Sequence, residues 1–177
     1  MVITEIKIRR AALADADLLA RLSDVTFRET FQGTCSEEDM DNFIHKCFSV
    51  QAISGELSDD NDYYFIAWIG NEPAGYTRIK EDYTDYPAMK KYVALELKRI
   101  YVLQQFQGKK VGAALMKGAI QLMAEKKFEA IWLGVWEFNE KAFLFYKRWG
   151  FEDTGFTHTF YIGDTAQTDH WLIRTSA

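Results

Sequence analysis

The segment running from residue 94 to residue 123 restricts the possible folds more than any other part of this sequence. Residues 94–102 read as a strand, and the polar residues 104–108 read as a loop. Directly behind them Val111, Ala114, Leu115, Gly118, Ala119, Leu122 and Met123 recur at the spacing of one helical face. Residues 130–136 are mostly apolar, as expected of a strand in the middle of a sheet. A second helix starts at Asn139, with Ala142, Phe145, Tyr146 and Trp149 on one face, and Gly150 fits the left-handed residue that ends it. Helices that alternate with strands in this way must bury their apolar faces against a sheet.

The flanking regions extend the pattern. Residues 4–9 alternate, with Ile6 and Ile8 on one side, so they read as a half-buried strand. Asp15 or Asp17 can cap a following helix, on which Leu18, Leu22 and Val25 share a face. Ser36 and Asp39 form a capping pair for a second helix bearing Met40, Phe43, Ile44 and Cys47. Residues 54–62 are polar and read as a loop. Residues 63–69 and 75–81 form a hairpin about the turn Gly70-Asn71-Glu72-Pro73. Strands near 157–162 and 171–174 complete the order β-α-α-β-β-β-α-β-α-β-β. With no linker, repeat or low-complexity segment, residues 1–177 are expected to form a single domain of α/β (α+β) class, a mixed sheet with helices on both faces.

Charge and cysteine content narrow the function. A net charge of −5 lacks the basic footprint that a phosphate backbone requires, so nucleic acid is not the expected partner. Two cysteines, Cys35 and Cys47, do not make a disulfide framework and, with His45, complete no zinc spacing, so no metal is expected. The first residues do not resemble a signal peptide, and no apolar run reaches the roughly 18 residues of a membrane span. A cytoplasmic protein is therefore expected.

The loop Gln107-Gly108-Lys109-Lys110-Val111-Gly112-Ala113 opens the first of the two long helices. A tight turn into a helix leaves backbone N–H groups unpaired and adds the helix dipole, which together hold a phosphate. Gly-Lys-Ser/Thr is missing, so this is not a P-loop. The later segment from Trp132 to Phe151 has the form N-x-x-A-x-x-x-Y-x-x-x-G-F after a strand. Loop and helix together resemble the Gcn5-related N-acetyltransferase superfamily. The segments Phe27-Arg28-Glu29-Thr30-Phe31, Glu96 to Val102, Trp132 to Asn139 and Phe160 to Asp169 are similar to the bacterial PaiA-type spermidine/spermine N-acetyltransferases.

The resemblance implies a mostly antiparallel sheet of about seven strands, acetyl-CoA as cosubstrate, a small-molecule amine as partner, and a homodimer of the kind common in this fold. Ile100, Tyr101 and Val102 would line the pantetheine arm with backbone groups. Gln107 through Ala113 (Gln107, Gly108, Lys109, Lys110, Val111, Gly112 and Ala113) would surround the pyrophosphate. Asn139 would bond the pantetheine region, and Tyr146 would stand at the thioester sulfur. Lys110 departs from the family's usual glycine, which matters if that backbone needs a positive φ.

An alkylammonium keeps its proton at neutral pH and must lose it before attacking a thioester. A carboxylate can take that proton. Glu96, read as sharing a face with Lys98, Ile100 and Val102, is the first choice, and Glu137 is the alternative. A backbone N–H near residues 100–102 would hold the oxyanion, and the Tyr146 phenol would protonate the departing thiolate. Polyamine ammonium groups call for carboxylates and aromatic faces, for which Glu29, Phe31, Tyr101, Trp136, Glu137, Tyr161, Asp164 and Asp169 are candidates. Protein N-termini, amino acids or an amine drug are alternative acceptors, and a CoA-binding regulatory module without turnover is a further reading.

Overall fold

The computed structural model describes residues 5–82 and 89–176. Strands β1 (Ile6–Arg10), β2 (Asp62–Ile69), β3 (Glu72–Asp82), β4 (Ala94–Val102), β5 (Ala130–Trp136), β6 (Glu152–Ile162) and β7 (Thr165–Thr175) form one sheet in the order β1-β2-β3-β4-β5-β7-β6. Only the β4–β5 pair is parallel; the other neighbours are antiparallel. The start of β1 expected at Thr4 lies outside the described residues. Helices α4 (Val111–Glu125) and α5 (Glu140–Arg148) pack on one face, around Ile79, Leu95, Leu97, Leu133 and Val135. Helices α1 (Ala16–Phe31), α2 (Glu37–Phe48) and α3 (Val50–Leu57) pack on the other, around Tyr64, Ile66 and Tyr76. Among the described residues no helix is long and apolar enough to cross a membrane.

Three local expectations are corrected. The buried face of α1 is centred on Leu19, Leu22 and Phe27, and Val25 is exposed. This stripe includes Ser23 and Thr26, whose hydroxyls are satisfied by the Tyr76 hydroxyl at 2.9 Å and the Leu22 carbonyl at 2.7 Å. Polar residues satisfied locally can be buried, and a purely apolar stripe misses them. Neither Asp15 nor Asp17 caps α1: Asp15 is taken by Arg9 at 2.7 Å and the Ala12 amide at 2.8 Å, while Asp17 pairs with Arg21. Finally, residues 54–57, read as the start of a loop, belong to α3 (Val50–Leu57). Ser49 caps it through the Ala52 amide at 3.3 Å, Ile53 is fully buried, and Glu56 anchors it to two arginines described below. Elsewhere Ser36 caps α2 through the Asp39 amide at 3.1 Å, and Gly150 follows α5 with φ 79°.

β4 contains the fold's main irregularity. Ile79 pairs with Leu97 and Arg78 with Arg99, so Lys98 is an extra residue, a β-bulge. Side chains alternate across a strand, and an inserted residue reverses the alternation beyond it. Glu96 pairs alongside Trp132 on the α1–α3 face, whereas Ile100 and Val102 pack toward α4. The expectation that Glu96 shares a face with Ile100 and Val102 is therefore overturned, and the bulge is the reason. Thr77, buried in β3, donates to the Arg99 carbonyl at 2.8 Å. Arg99 itself reaches Glu56 at 2.8 and 2.9 Å, and Arg78 is held by Asp62 at 2.6 and 2.9 Å.

Candidate active site

β4 and β5 pair only at Ala94–Ala130, Leu95–Ile131 and Glu96–Trp132. Past Glu96 they diverge, although β4 stays paired with β3 up to Val102 and β5 with β7 up to Trp136. The result is a wedge whose inner edges carry backbone N–H and C=O groups, to which an extended amide-bearing chain can add as a further strand. Ile100, Tyr101 and Val102 lie along one of these edges, where the sequence placed them.

At the wide end of the wedge, Leu103 donates to the Ala74 carbonyl at 3.0 Å and the Gln107 side chain to the Val102 carbonyl at 3.3 Å, which fixes the loop. Gly108 has φ 78°, and Lys110, the N-cap of α4, has φ 67° in the left-handed region. The departure noted at Lys110 thus falls where an L side chain is disfavoured. Ala114 is the first amide of α4 to bond back, to the Lys110 carbonyl at 3.0 Å, and no side chain caps the helix. The amides of Val111, Gly112 and Ala113 are therefore left for an anion, with Lys109 and Lys110 beside them. A Cβ at Gly112 would meet only ordinary contacts, Phe145 and Val102 at 3.7 Å. This donor set fits a pyrophosphate.

Two candidate groups belong to α5 and its N-cap. The Asn139 side-chain oxygen caps the helix through the Ala142 amide at 3.1 Å, leaving its NH2 as the group able to donate elsewhere. Tyr146 is buried against Phe145 and Phe151, with ring centroids 5.5 and 5.7 Å away. Burial, then the nearby Asp169 charge, raises its phenol well above the usual tyrosine range, so it holds its proton.

The opposite wall is formed on the α1–α3 face. Glu96 is buried and ion-paired with Lys98 at 2.7 Å. Trp136 packs at a tilt against Phe31 (4.8 Å) and edge-to-face against Phe138 (5.3 Å), and Phe31 also meets Phe160 at 5.9 Å. Tyr101 lies 5.9 Å from Tyr76, and burial raises its phenol too. Asp169 on β7 pairs alongside Trp136 and leans over Gly134, where a Cβ would stand 2.8 Å from its Oδ2. Burial pushes the Asp169 carboxyl up to about 6, with His170 opposing.

The other candidates are scattered. Glu29 accepts from the Gln104 amide at 3.1 Å, bracing the loop after β4. Glu137 is exposed just past β5, its amide bonded to the Thr168 carbonyl at 2.9 Å. Tyr161 is 61% exposed, and Asp164 is exposed at the β6–β7 hairpin. Sequence reasoning named Asp169 only among several carboxylates. The glycine facing it, Gly134, was the signal that could have set it apart. Among the described residues no group of three or more His, Cys, Asp or Glu side chains could hold a metal.

Comparison with known proteins agrees with this geometry. The profile of the Acetyltransferase (GNAT) family matches residues 21–151. The chain is 32% identical over 170 residues to the uncharacterized N-acetyltransferase of the pepI 3′ region in Lactobacillus delbrueckii subsp. lactis, covering 96% of each chain. It is 28% identical to the spermidine N(1)-acetyltransferase of Thermoplasma acidophilum, over 84% of this chain and 91% of that one. The PaiA N-acetyltransferase of Thermoplasma acidophilum, solved in complex with coenzyme A, has the same fold, with a TM-score of 0.78 at 21% identity over 97% of this chain and 99% of that one. A wedge in the sheet, an anion-binding turn at its mouth and a family profile spanning both lead to one conclusion: the chain belongs to the GNAT acetyltransferase family and is an acetyl-CoA-dependent N-acetyltransferase.

Proposed function

We propose that the acceptor is a polyamine of the spermidine or spermine class, acetylated by direct attack of a primary amine on the thioester. The observation that carries this reading is the composition of the acceptor wall. A part-buried carboxylate, Asp169, stands beside Trp136, with Tyr101 and Phe31 near it and Glu96 further along the same face. Carboxylates and aromatic faces are what an alkylammonium chain binds. Similarity to a protein named as a spermidine N(1)-acetyltransferase supports the same reading.

In this reading the loop from Gln107 to Ala113 binds the pyrophosphate and the inner edge of β4 orients the pantetheine amides. Backbone N–H groups along residues 100–102 stabilise the oxyanion formed on attack. Tyr146, protonated throughout the neutral range, gives its proton to the departing sulfur. Binding and positioning by the protein make the encounter effectively unimolecular. The test is a panel of primary amines assayed by thiol release. Spermidine or spermine should give a higher kcat/KM than peptides with free α-amines, free amino acids or aminoglycosides. A clear preference for any of the latter overturns the polyamine reading.

A further inference from the structure

We propose that Asp169, rather than Glu96, is the base that takes the proton from the attacking amine. The proposal rests on acetyl transfer by direct attack but not on the acceptor being a polyamine.

Asp169 is a part-buried carboxylate at the wedge that, among the described residues, binds no counter-charge. Glu56 holds Arg78 and Arg99, Asp62 holds Arg78, Glu81 holds Lys126, and Glu96 holds Lys98 at 2.7 Å. Among the described residues the Asp169 side chain makes no hydrogen bond and no ion pair. Its chain neighbour His170 turns to Asp153 at 3.7 Å. Leaving a part-buried carboxylate without a partner costs stability, and such groups cluster where chemistry needs them. The local backbone admits it by design of the sequence: Gly134 is the β5 residue beneath it, and any Cβ there would come within 2.8 Å of Oδ2 and 3.3 Å of the Asp169 Cβ.

Its position relative to Tyr146 is equally specific. Asp169 lies on the Trp136 side of β5, while Tyr146 packs with Leu133 and Val135 on the other side. Its charge nonetheless reaches both Tyr146 and Tyr101. A thioester lying between the diverging strands would thus have the base on one face of the sheet and the acid on the other. The groups facing Asp169 are Tyr101 from β4, Tyr146 from α5, Trp136 from β5, His158 from β6 and His170 beside it on β7. None is a permanent cation. Burial therefore leaves the carboxyl at about 6, close to the operating pH that suits a general base. Glu96 stands instead where β4 and β5 are still paired, its charge already met by Lys98.

The proton balance closes. Asp169 takes one proton from the ammonium, and the neutral amine forms the C–N bond. As the C–S bond breaks, Tyr146 gives its proton to sulfur and recovers one from the amide nitrogen. The products are the acetamide and the free thiol, and Asp169 passes one proton to solvent.

The test uses Asp169→Asn and Glu96→Gln, with whichever primary amine the parent enzyme acetylates best. For Asp169→Asn, kcat/KM should fall about 10²–10⁴-fold. The rise in kcat/KM with pH near 6 should disappear, and acetyl-CoA affinity should be unchanged. Gly134→Ala, which displaces the carboxylate without removing it, should lower the rate less. Folding is checked by melting. The folded state keeps the Asp169 proton between the ordinary 3.8 and about 6 while the unfolded chain releases it, so stability falls across that window as pH rises. Asp169→Asn should thus melt higher than the parent above pH 6 and equally at low pH. An Asp169→Asn enzyme that keeps its rate and its pH limb overturns the proposal, as does loss of that limb in Glu96→Gln alone. A different preferred amine overturns only the polyamine reading.

Discussion

The two sides of the wedge are built on different principles. The proposed cosubstrate side, β4-α4-β5-α5, presents mainly backbone: strand edges, the amides of Val111, Gly112 and Ala113, and the helix that Asn139 caps. The proposed acceptor side, on the α1–α3 face of the sheet, presents side chains: Phe31 of α1, Tyr101 of β4, Trp136 of β5 and Asp169 of β7, behind which lies the ionic network of Glu56, Asp62, Arg78 and Arg99. Backbone recognition demands a fixed local conformation and so leaves a compact motif in the sequence. Side-chain recognition draws single residues from distant segments and leaves none. An enzyme built this way can hold its cosubstrate constant while its acceptor drifts.

Three substitutions sharpen the contrast. The largest effect is expected from Tyr146→Phe, which keeps the ring and removes the proton. On the scale of general acid catalysis kcat should drop about 10²–10⁴-fold, roughly 3–5 kcal/mol of barrier, with acetyl-CoA affinity little changed. A weakened affinity with intact kcat would make Tyr146 a binding residue instead. Next comes Glu56→Ala, which strips the shared acceptor from Arg78 and Arg99 and leaves buried charge behind. Unfolding free energy in urea should fall by about 3 kcal/mol. A loss below about 1 kcal/mol would mean that the network adds nothing beyond packing. The smallest is Lys110→Gly. Relieving a left-handed lysine should stabilise the fold by about 1 kcal/mol, while the lost charge weakens acetyl-CoA binding a few-fold. If affinity is unchanged, backbone alone holds the pyrophosphate.

What the sequence disclosed follows the same division. The bounds of β4 and β5 and the closing Gly150 were readable, because each depends on neighbours within a few residues. α3 was not: Ile53 is its only fully buried residue, and its hold on the protein comes from Glu56 reaching arginines more than twenty positions away, at Arg78 and Arg99. The buried face of α1 was misplaced by one position because Ser23 and Thr26 enter the core with their hydroxyls satisfied. At the candidate site, the loop from Gln107 to Ala113 and Tyr146 stand out in the sequence through their spacing. Asp169 was visible only as one acid among several, since what distinguishes it is the lack of a partner in space.

The extra residue at Lys98 makes β4 a strand that changes allegiance partway along. Before it, even-numbered positions look toward α1–α3; after it, Tyr101 does, and Ile100 and Val102 turn to α4. Length therefore matters here more than composition. Many replacements at Lys98 are tolerable in principle, since its side chain is exposed. Deleting the residue would restore simple alternation and leave Arg99, Ile100 and Tyr101 facing as they do, whereas inserting a second residue beside it would swing Arg99 away from Glu56, drive Ile100 toward α1–α3 and turn Tyr101 toward α4, changing three environments at once. Variation in this stretch is expected to proceed by substitution or by loss of the bulge, and not by further lengthening.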